Sequence, residues 1–220
     1  MRAISIIPLL ILCLSCTPRP TAWQAGDLLF QSLDSDFGGA IEAVTESAGG
    51  YSFSHVGMLA PDSAGGLQVV EAIGRAVRLT PLDSFLQRST VTVAARVKAD
   101  YRRLTPAAIA FAVRQIGTPY DEAYLYDNGR YYCSELIYDA FLYANHGRPF
   151  FTLEPMTFKA PGADSFPTVW VRHYEALGMA IPEGQPGCNP GGLSRSDKLE
   201  WLCSAPPGPD DGRRATAKKP

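Results

Sequence analysis

Cys133 and His55 are the two side chains whose type and setting point to covalent chemistry. Cys133 follows Arg130, Tyr131 and Tyr132 and stands immediately before the best-patterned helix of the chain. That helix is expected from Ser134 to about Asn145, with Leu136, Ile137, Ala140, Phe141 and Ala144 at helical spacing. A cysteine at a helix start meets unpaired backbone N–H groups, which stabilise a thiolate and can also hold a developing oxyanion. His55 falls in the strand-like run 54–60 and Glu71 in the run 67–73, with Pro61, Asp62, Ser63, Ala64, Gly65 and Gly66 between them. If Ala60 and Gly66 pair at this turn, His55 stands directly opposite Glu71, where facing Cβ atoms are about 4.5–5.5 Å apart. A carboxylate in that position fixes the imidazole tautomer, stabilises the imidazolium and leaves the other ring nitrogen for a nucleophile. Each residue also has a plainer reading: an incidental cross-strand pair for His55 and Glu71, and a small buried apolar side chain for Cys133.

The elements that must position these residues read as an α+β domain. The run 26–32 is strand-like, and 37–47 has the spacing of a modest helix weakened by Gly38 and Gly39. The runs 54–60, 67–73, 75–79 and 91–97 read as successive strands of an antiparallel meander. A helix is expected from Thr105, as its cap, with Pro106 at the first helical position and Gly117 closing it. Residues 168–177 fit a short helix, although Val169, Trp170 and Val171 fit a strand equally well. Residues 181–220 hold 7 Pro and 6 Gly, so their first half must wrap the domain as ordered coil, and 205–220 are expected to be disordered.

Length and composition limit the alternatives. A chain of 220 residues with 46% hydrophobic and 19% charged residues is one globular domain with appendages. With 20 Lys plus Arg against 22 Asp plus Glu, the net charge of −2 gives no field for collecting phosphates, so nucleic acid is not expected as a partner. Three histidines without an HExxH or a paired-cysteine spacing give no metal site, no cofactor is implied, and no GxSxG elbow marks a serine hydrolase.

The N-terminus reads as an export signal. Arg2 precedes an apolar run that ends in small residues before Cys16, and the run is shorter than the roughly 20 residues needed to span a bilayer. The segment LCLSCTP resembles a bacterial lipoprotein cleavage box, which makes Cys16 the lipidated anchor, although Cys13 occupies a position usually held by Leu. Plain secretory cleavage near Ser15 or Thr17 is the alternative, giving a soluble secreted or periplasmic protein. The expected organisation is then a signal over 1–16, an extended tether over 17–22 and a domain over 23–204. Outside the cytoplasm Cys188 and Cys203 are positioned to pair, closing a loop of about 15 residues worth roughly 3 kcal/mol.

The order GDLLF, SHVGM, VVEA, GTPYD, YYCSELI resembles the YiiX and YebB group of permuted NlpC-type, papain-like cysteine hydrolases. The strands with His and the third polar residue come before the Cys-bearing helix, as in that group. The resemblance implies a circularly permuted papain-like fold, an antiparallel sheet or small barrel packed against helices. It also implies Cys133 as nucleophile, His55 as base and Glu71 as the group orienting His55. Tyr120 and Asp121 match the family's GTPYD motif and are implied to line the substrate cleft, beside the plainer reading of a Pro-containing turn. Cys188 departs from the pattern, standing where Thr is expected. Ser134 and Glu135 are read as helix-capping residues, Glu135 as a first-turn acid favoured by the dipole, and His146 and His173 as structural.

Three functions compete. The leading one is a cell-envelope thiol hydrolase that cleaves an amide in a murein peptide or a similar small peptide-like substrate through an acyl-enzyme. The second is a lipid-directed acyl hydrolase or acyltransferase, and the third a non-catalytic envelope binding module, against which the presence of both Cys133 and His55 speaks.

Overall fold

The computed structural model describes residues 22–202; the signal, Cys16 and the tether through residue 21 lie outside the described residues, as do Cys203 and the tail. In chain order the elements are β1 (Leu28–Ser32), α1 (Asp36–Val44), β2 (His55–Pro61), β3 (Leu67–Ile73), β4 (Ala76–Pro81), α2 (Leu82–Leu86) and β5 (Val91–Val97). They continue with α3 (Thr105–Arg114), α4 (Cys133–Ala144), β6 (Glu154–Pro155), α5 (Thr168–Leu177), β7 (Pro186–Gly187), α6 (Pro190–Ser194) and β8 (Leu199–Trp201).

An antiparallel sheet in the order β4-β3-β2-β1-β5-β8 forms the centre, and β6 and β7 make a separate two-stranded ribbon. The expected meander holds for β2, β3 and β4 only. The run 91–97 pairs with β1 instead of β4, because α2 carries the chain across the sheet with Phe85 buried beneath it. That crossing gives the fully buried β1 a hydrogen-bonding partner on each side, which a strand inside the protein requires.

Both faces of the central strands are covered, which is why they read as continuous apolar runs. Leu28, Phe30, Met58 and Val70 point into the main core, where α3 and α4 pack. Leu29, Leu59 and Val69 point the other way, under Phe85 and Leu202. Helix α4 supplies Leu136, Ile137, Ala140 and Phe141 to the main core, all fully buried. The undecided segment 168–177 is helical and ends at Gly178 in the left-handed conformation. The segment after Ile181 is more regular than coil, since β8 adds a sixth strand beside β5.

Two local expectations change. Thr105 is not a helix cap: a 3-10 turn over Ala99–Leu104 runs into α3, and the Thr105 methyl lies over Gly26 instead. A Cβ at Gly26 would sit 1.8 Å from that methyl, and Gly26 has φ +92°, so the Gly of GDLLF serves close packing. Asp27 beside it is fully buried and forms a two-pronged ion pair with Arg96 of β5, 2.7 and 2.8 Å.

The β2–β3 register is the second change. The strands pair Pro61 with Leu67 and Met58 with Val70, so Ala60 faces Gln68 rather than Gly66. The cause is a five-residue turn moved one position along the chain, to 62–66, in which Asp62 Oδ1 accepts from the amides of Ala64 and Gly66 and holds Gly66 in the loop. A slip of two residues keeps every side chain on its face. Glu71 therefore lies opposite Gly57 when the ladder is continued, and reaches His55 diagonally. A Cβ at Gly57 would stand 2.5 Å from Val69 Cγ1, 3.1 Å from Phe85 and 3.4 Å from Glu71 Cβ, so only glycine leaves the diagonal open. Gly57→Ala is expected to destabilise the fold by about 1–3 kcal/mol through overpacking. Denaturant titration checks this, and adding Val69→Ala should recover part of the loss.

Candidate active site

His55 is the first residue of β2 and Cys133 the first of α4, and the fold brings the two ends together. The His55 ring is 3% exposed, with Nε2 2.6 Å from Glu71 Oε2. Nδ1 is left for the Cys133 side chain, whose proximity acts on the charge of the ring. Burial opposes a charge on this ring, but the nearby Cys133 and the hydrogen-bonded Glu71 outweigh it and push the imidazole up to about 9. The ring is thereby held as an imidazolium at neutral pH.

Glu71 is fully buried and its two oxygens carry four contacts. Besides His55 they accept from Thr80 Oγ1 at 2.5 Å and from Arg88 Nη2 at 2.7 Å to each oxygen. Burial alone would raise this carboxyl, yet His55 first, then Arg88 and Thr80, hold it down at about 2. Neither Arg88 nor Thr80 stands out in the sequence. Arg88 comes from the loop after α2 and Thr80 from β4, and only the tertiary fold brings them to Glu71.

Cys133 is 4% exposed at the first turn of α4, whose leading backbone N–H groups have no helical acceptors. Tyr132 precedes the helix in an extended conformation without a side-chain cap. Ser134, expected to cap, instead donates to the Cys188 carbonyl at 3.0 Å. Glu135 does reach a backbone amide, that of Asp127 at 2.9 Å, and its Oε2 is buried without a partner among the described residues. It differs from the expected dipole-favoured anion, because burial dominates and raises its carboxyl to about 8.

Two connected spaces adjoin the pair. One of about 340 Å³ is lined by His55, Tyr120, Phe37 and His173. A narrow one of about 30 Å³ is lined by Cys133, Met156, Phe158 and Trp170, and the two share Ile41, Ser54 and Tyr124. Tyr120 thus faces the space beside His55, delivered by the segment after Gly117, which hydrogen-bonds along β4 through Tyr120 N to Arg75 O. Burial pushes its hydroxyl well above the usual tyrosine range. Asp121 is 1% exposed and lines neither space, because both oxygens are engaged by the amides of Ala123 and Leu125. Its bonds pin a turn in which Tyr124 adopts φ +53°, a conformation that costs a side-chain-bearing residue roughly 1–3 kcal/mol. Tyr124, which the sequence did not single out, stacks on Phe37 and stands edge-on to Tyr120 and Trp170.

His173 Nε2 donates to the Glu122 carbonyl, 2.6 Å away, and His146 sits in a left-handed turn after α4. The Cys188 thiol is buried 3.9 Å from the Tyr132 hydroxyl, and burial raises it far above the ordinary thiol range. Its expected partner, Cys203, lies outside the described residues.

A thiol at a helix start, a ring nitrogen directed at it and a carboxylate behind the ring form an arrangement able to carry out nucleophilic acyl transfer. The chain is 32% identical over 138 residues to an uncharacterized protein, YiiX, of Escherichia coli strain K12. That match covers 60% of this chain and 65% of the relative, so it spans just under two thirds of the relative's length. A crystal structure described as metalloprotein YiiX from Escherichia coli O157:H7 superposes with a TM-score of 0.67 at 23% identity, covering 83% of this chain and 97% of that one. Residues 22–203 match the family described as permuted papain-like amidase enzymes, YaeF/YiiX, C92, and the chain belongs to that family.

Proposed function

We propose that this chain is a cysteine-dependent amide hydrolase of the cell envelope, acting on a murein peptide or a similar small peptide-like substrate. The observation that carries the reading is the buried His55 ring bonded through Nε2 to Glu71, with its other nitrogen left for Cys133 at the start of α4. Cys133 Sγ attacks the amide carbon, and the carbonyl oxygen takes up negative charge against the first-turn amides of α4. The His55 proton passes to the departing amine as the C–N bond breaks. A water then gives one proton to His55 and its hydroxide to the thioester carbon; the C–S bond breaks, releasing the acid and leaving the Cys133 sulfur anion beside the recharged His55.

A second reading, hydrolysis or transfer of a lipid acyl group, is favoured by one feature. The walls beside Cys133 are Ile41, Val44, Met156, Phe158 and Trp170, with no lysine or arginine among the lining residues. Stem-peptide amides assayed against acyl esters separate the two readings.

The related crystal structure is described as a metalloprotein. A metal does not fit this site. Among the described residues no three His, Cys, Asp or Glu side chains gather as ligands, and both Glu71 oxygens are already bound to His55, Thr80 and Arg88. No step of the mechanism passes through one.

Membrane attachment through Cys16 is part of the proposal and rests on the apolar run before it. Cys16→Ala is expected to release the protein from washed membranes; equal retention at high salt contradicts the anchor.

Iodoacetamide at neutral pH, read by peptide mass mapping, should modify Cys133 and spare Cys188. Cys133→Ala and His55→Ala should abolish turnover. Glu71→Gln should leave weak activity, lower by on the order of 10²- to 10⁴-fold, because an amide can still orient the ring. Turnover in the wild type should fall as pH rises through about 9, where His55 loses its proton. In Glu71→Gln that fall should move to lower pH, since the countercharge that raises the imidazole is gone.

A further inference from the structure

The unusual member of the buried cluster is Arg88. Its Nη2 lies 2.7 Å from both Glu71 oxygens, its guanidinium is stacked 4.9 Å over the Phe85 ring, and Nε and Nη1 have no partner among the described residues. All the hydrogen bonding this cation does with the protein is therefore directed at one carboxylate. Phe85 in turn lies beside the His55 ring, 5.9 Å between centroids, so the half-buried Arg88 side chain, 24% exposed, leans on the same group. Thr80 also bonds Glu71 but carries no charge.

We infer that Arg88 is a positioning residue whose charge makes the buried cluster electrically neutral when Cys133 is a thiolate and His55 an imidazolium. The inference rests on the cysteine-hydrolase reading above. Two anions, Cys133 and Glu71, then face two cations, His55 and Arg88. Without Arg88 the same state carries one uncompensated negative charge in a site shielded from water, where charge imbalance is costly. Glu71 does not relieve the imbalance by taking a proton, because the imidazolium 2.6 Å away holds it ionised more strongly than Arg88 does. The imbalance therefore falls on the thiolate.

The other groups facing the cluster do not supply the missing charge. Tyr120 and Tyr124 are neutral phenols held protonated by burial, and the Cys188 thiol is likewise held protonated. Arg78 stands opposite Glu71 in the β3–β4 ladder but is exposed and makes no ion pair with it.

The test is the pH dependence of Cys133 alkylation by iodoacetamide in the intact protein, comparing wild type, Arg88→Met and Arg88→Lys. Loss of the charge should move the onset of alkylation upward by about one pH unit, a roughly tenfold slower reaction below the onset. Arg88→Lys, which keeps the charge and loses the fork, should keep the wild-type onset even if its maximal rate falls. A purely structural role would lower the rate of both variants without moving the onset of either. Superimposable onsets for wild type and Arg88→Met overturn the inference. If Arg88→Met does not fold, as judged by circular dichroism, the neutral polar variant Arg88→Gln decides: an onset moved upward supports the role of charge and one that matches the wild type overturns it. Failure of the hydrolase reading itself is distinct, because wild-type Cys133 would then alkylate no faster than a model thiol at any pH.

Discussion

Glu71 is a carboxylate with no contact with water, and the architecture around it is what makes its charge tolerable. Four hydrogen bonds saturate its oxygens, drawn from β2, β4 and the loop after α2. An isolated anion at this depth would take up a proton rather than remain charged, so each donor contributes to keeping it ionised. Because the anion persists, His55 keeps its proton and its orientation. The imidazole is consequently fixed from behind, by a carboxylate that strands and one loop residue, Arg88, hold in place.

The rest of the domain divides into supports for the two halves of that arrangement. On the sheet side, Gly57 leaves the lane through which Glu71 reaches His55, and the Asp62 turn sets the register that puts Gly57 there. On the helix side, α4 is held by its apolar face in the main core, so Cys133 is presented by a rigid element. Between them, Asp121 pins the turn that holds Tyr124 in a left-handed conformation against the aromatic wall. Strain in that turn is offset by two carboxylate bonds and by ring packing, a local cost carried beside the reacting groups.

Much of this was legible from residue type and spacing, and the exceptions have physical causes. The helix after Cys133 has an apolar periodicity that burial enforces, and the family order is shown by the match over residues 22–203. The strand runs were equally plain, but their pairing was not: an apolar run buried on both faces carries no signal of which neighbour it takes, so β5 was placed beside β4 rather than β1. His55 and Glu71 were brought together through a register two residues out, and the contact survived because strands alternate with period two. Arg88, Thr80 and Tyr124 had no local signature, since their roles depend on long-range approach. Asp121 was read with its motif neighbour Tyr120 as a cleft residue, whereas its oxygens face loop amides that no sequence pattern displays.

The chain order has one more consequence. The ring and its carboxylate sit on neighbouring hairpin strands, while the sulfur arrives on a helix that follows the sheet and α3. A chain assembled from its N-terminus holds a complete proton-handling pair before it possesses anything to activate. Until α4 docks, Cys133 is an ordinary thiol on an unanchored segment, without its ring and without the cluster that accommodates its charge. Reactivity is thus withheld by topology, and the nucleophile is armed by the same packing event that brings α4 onto the sheet.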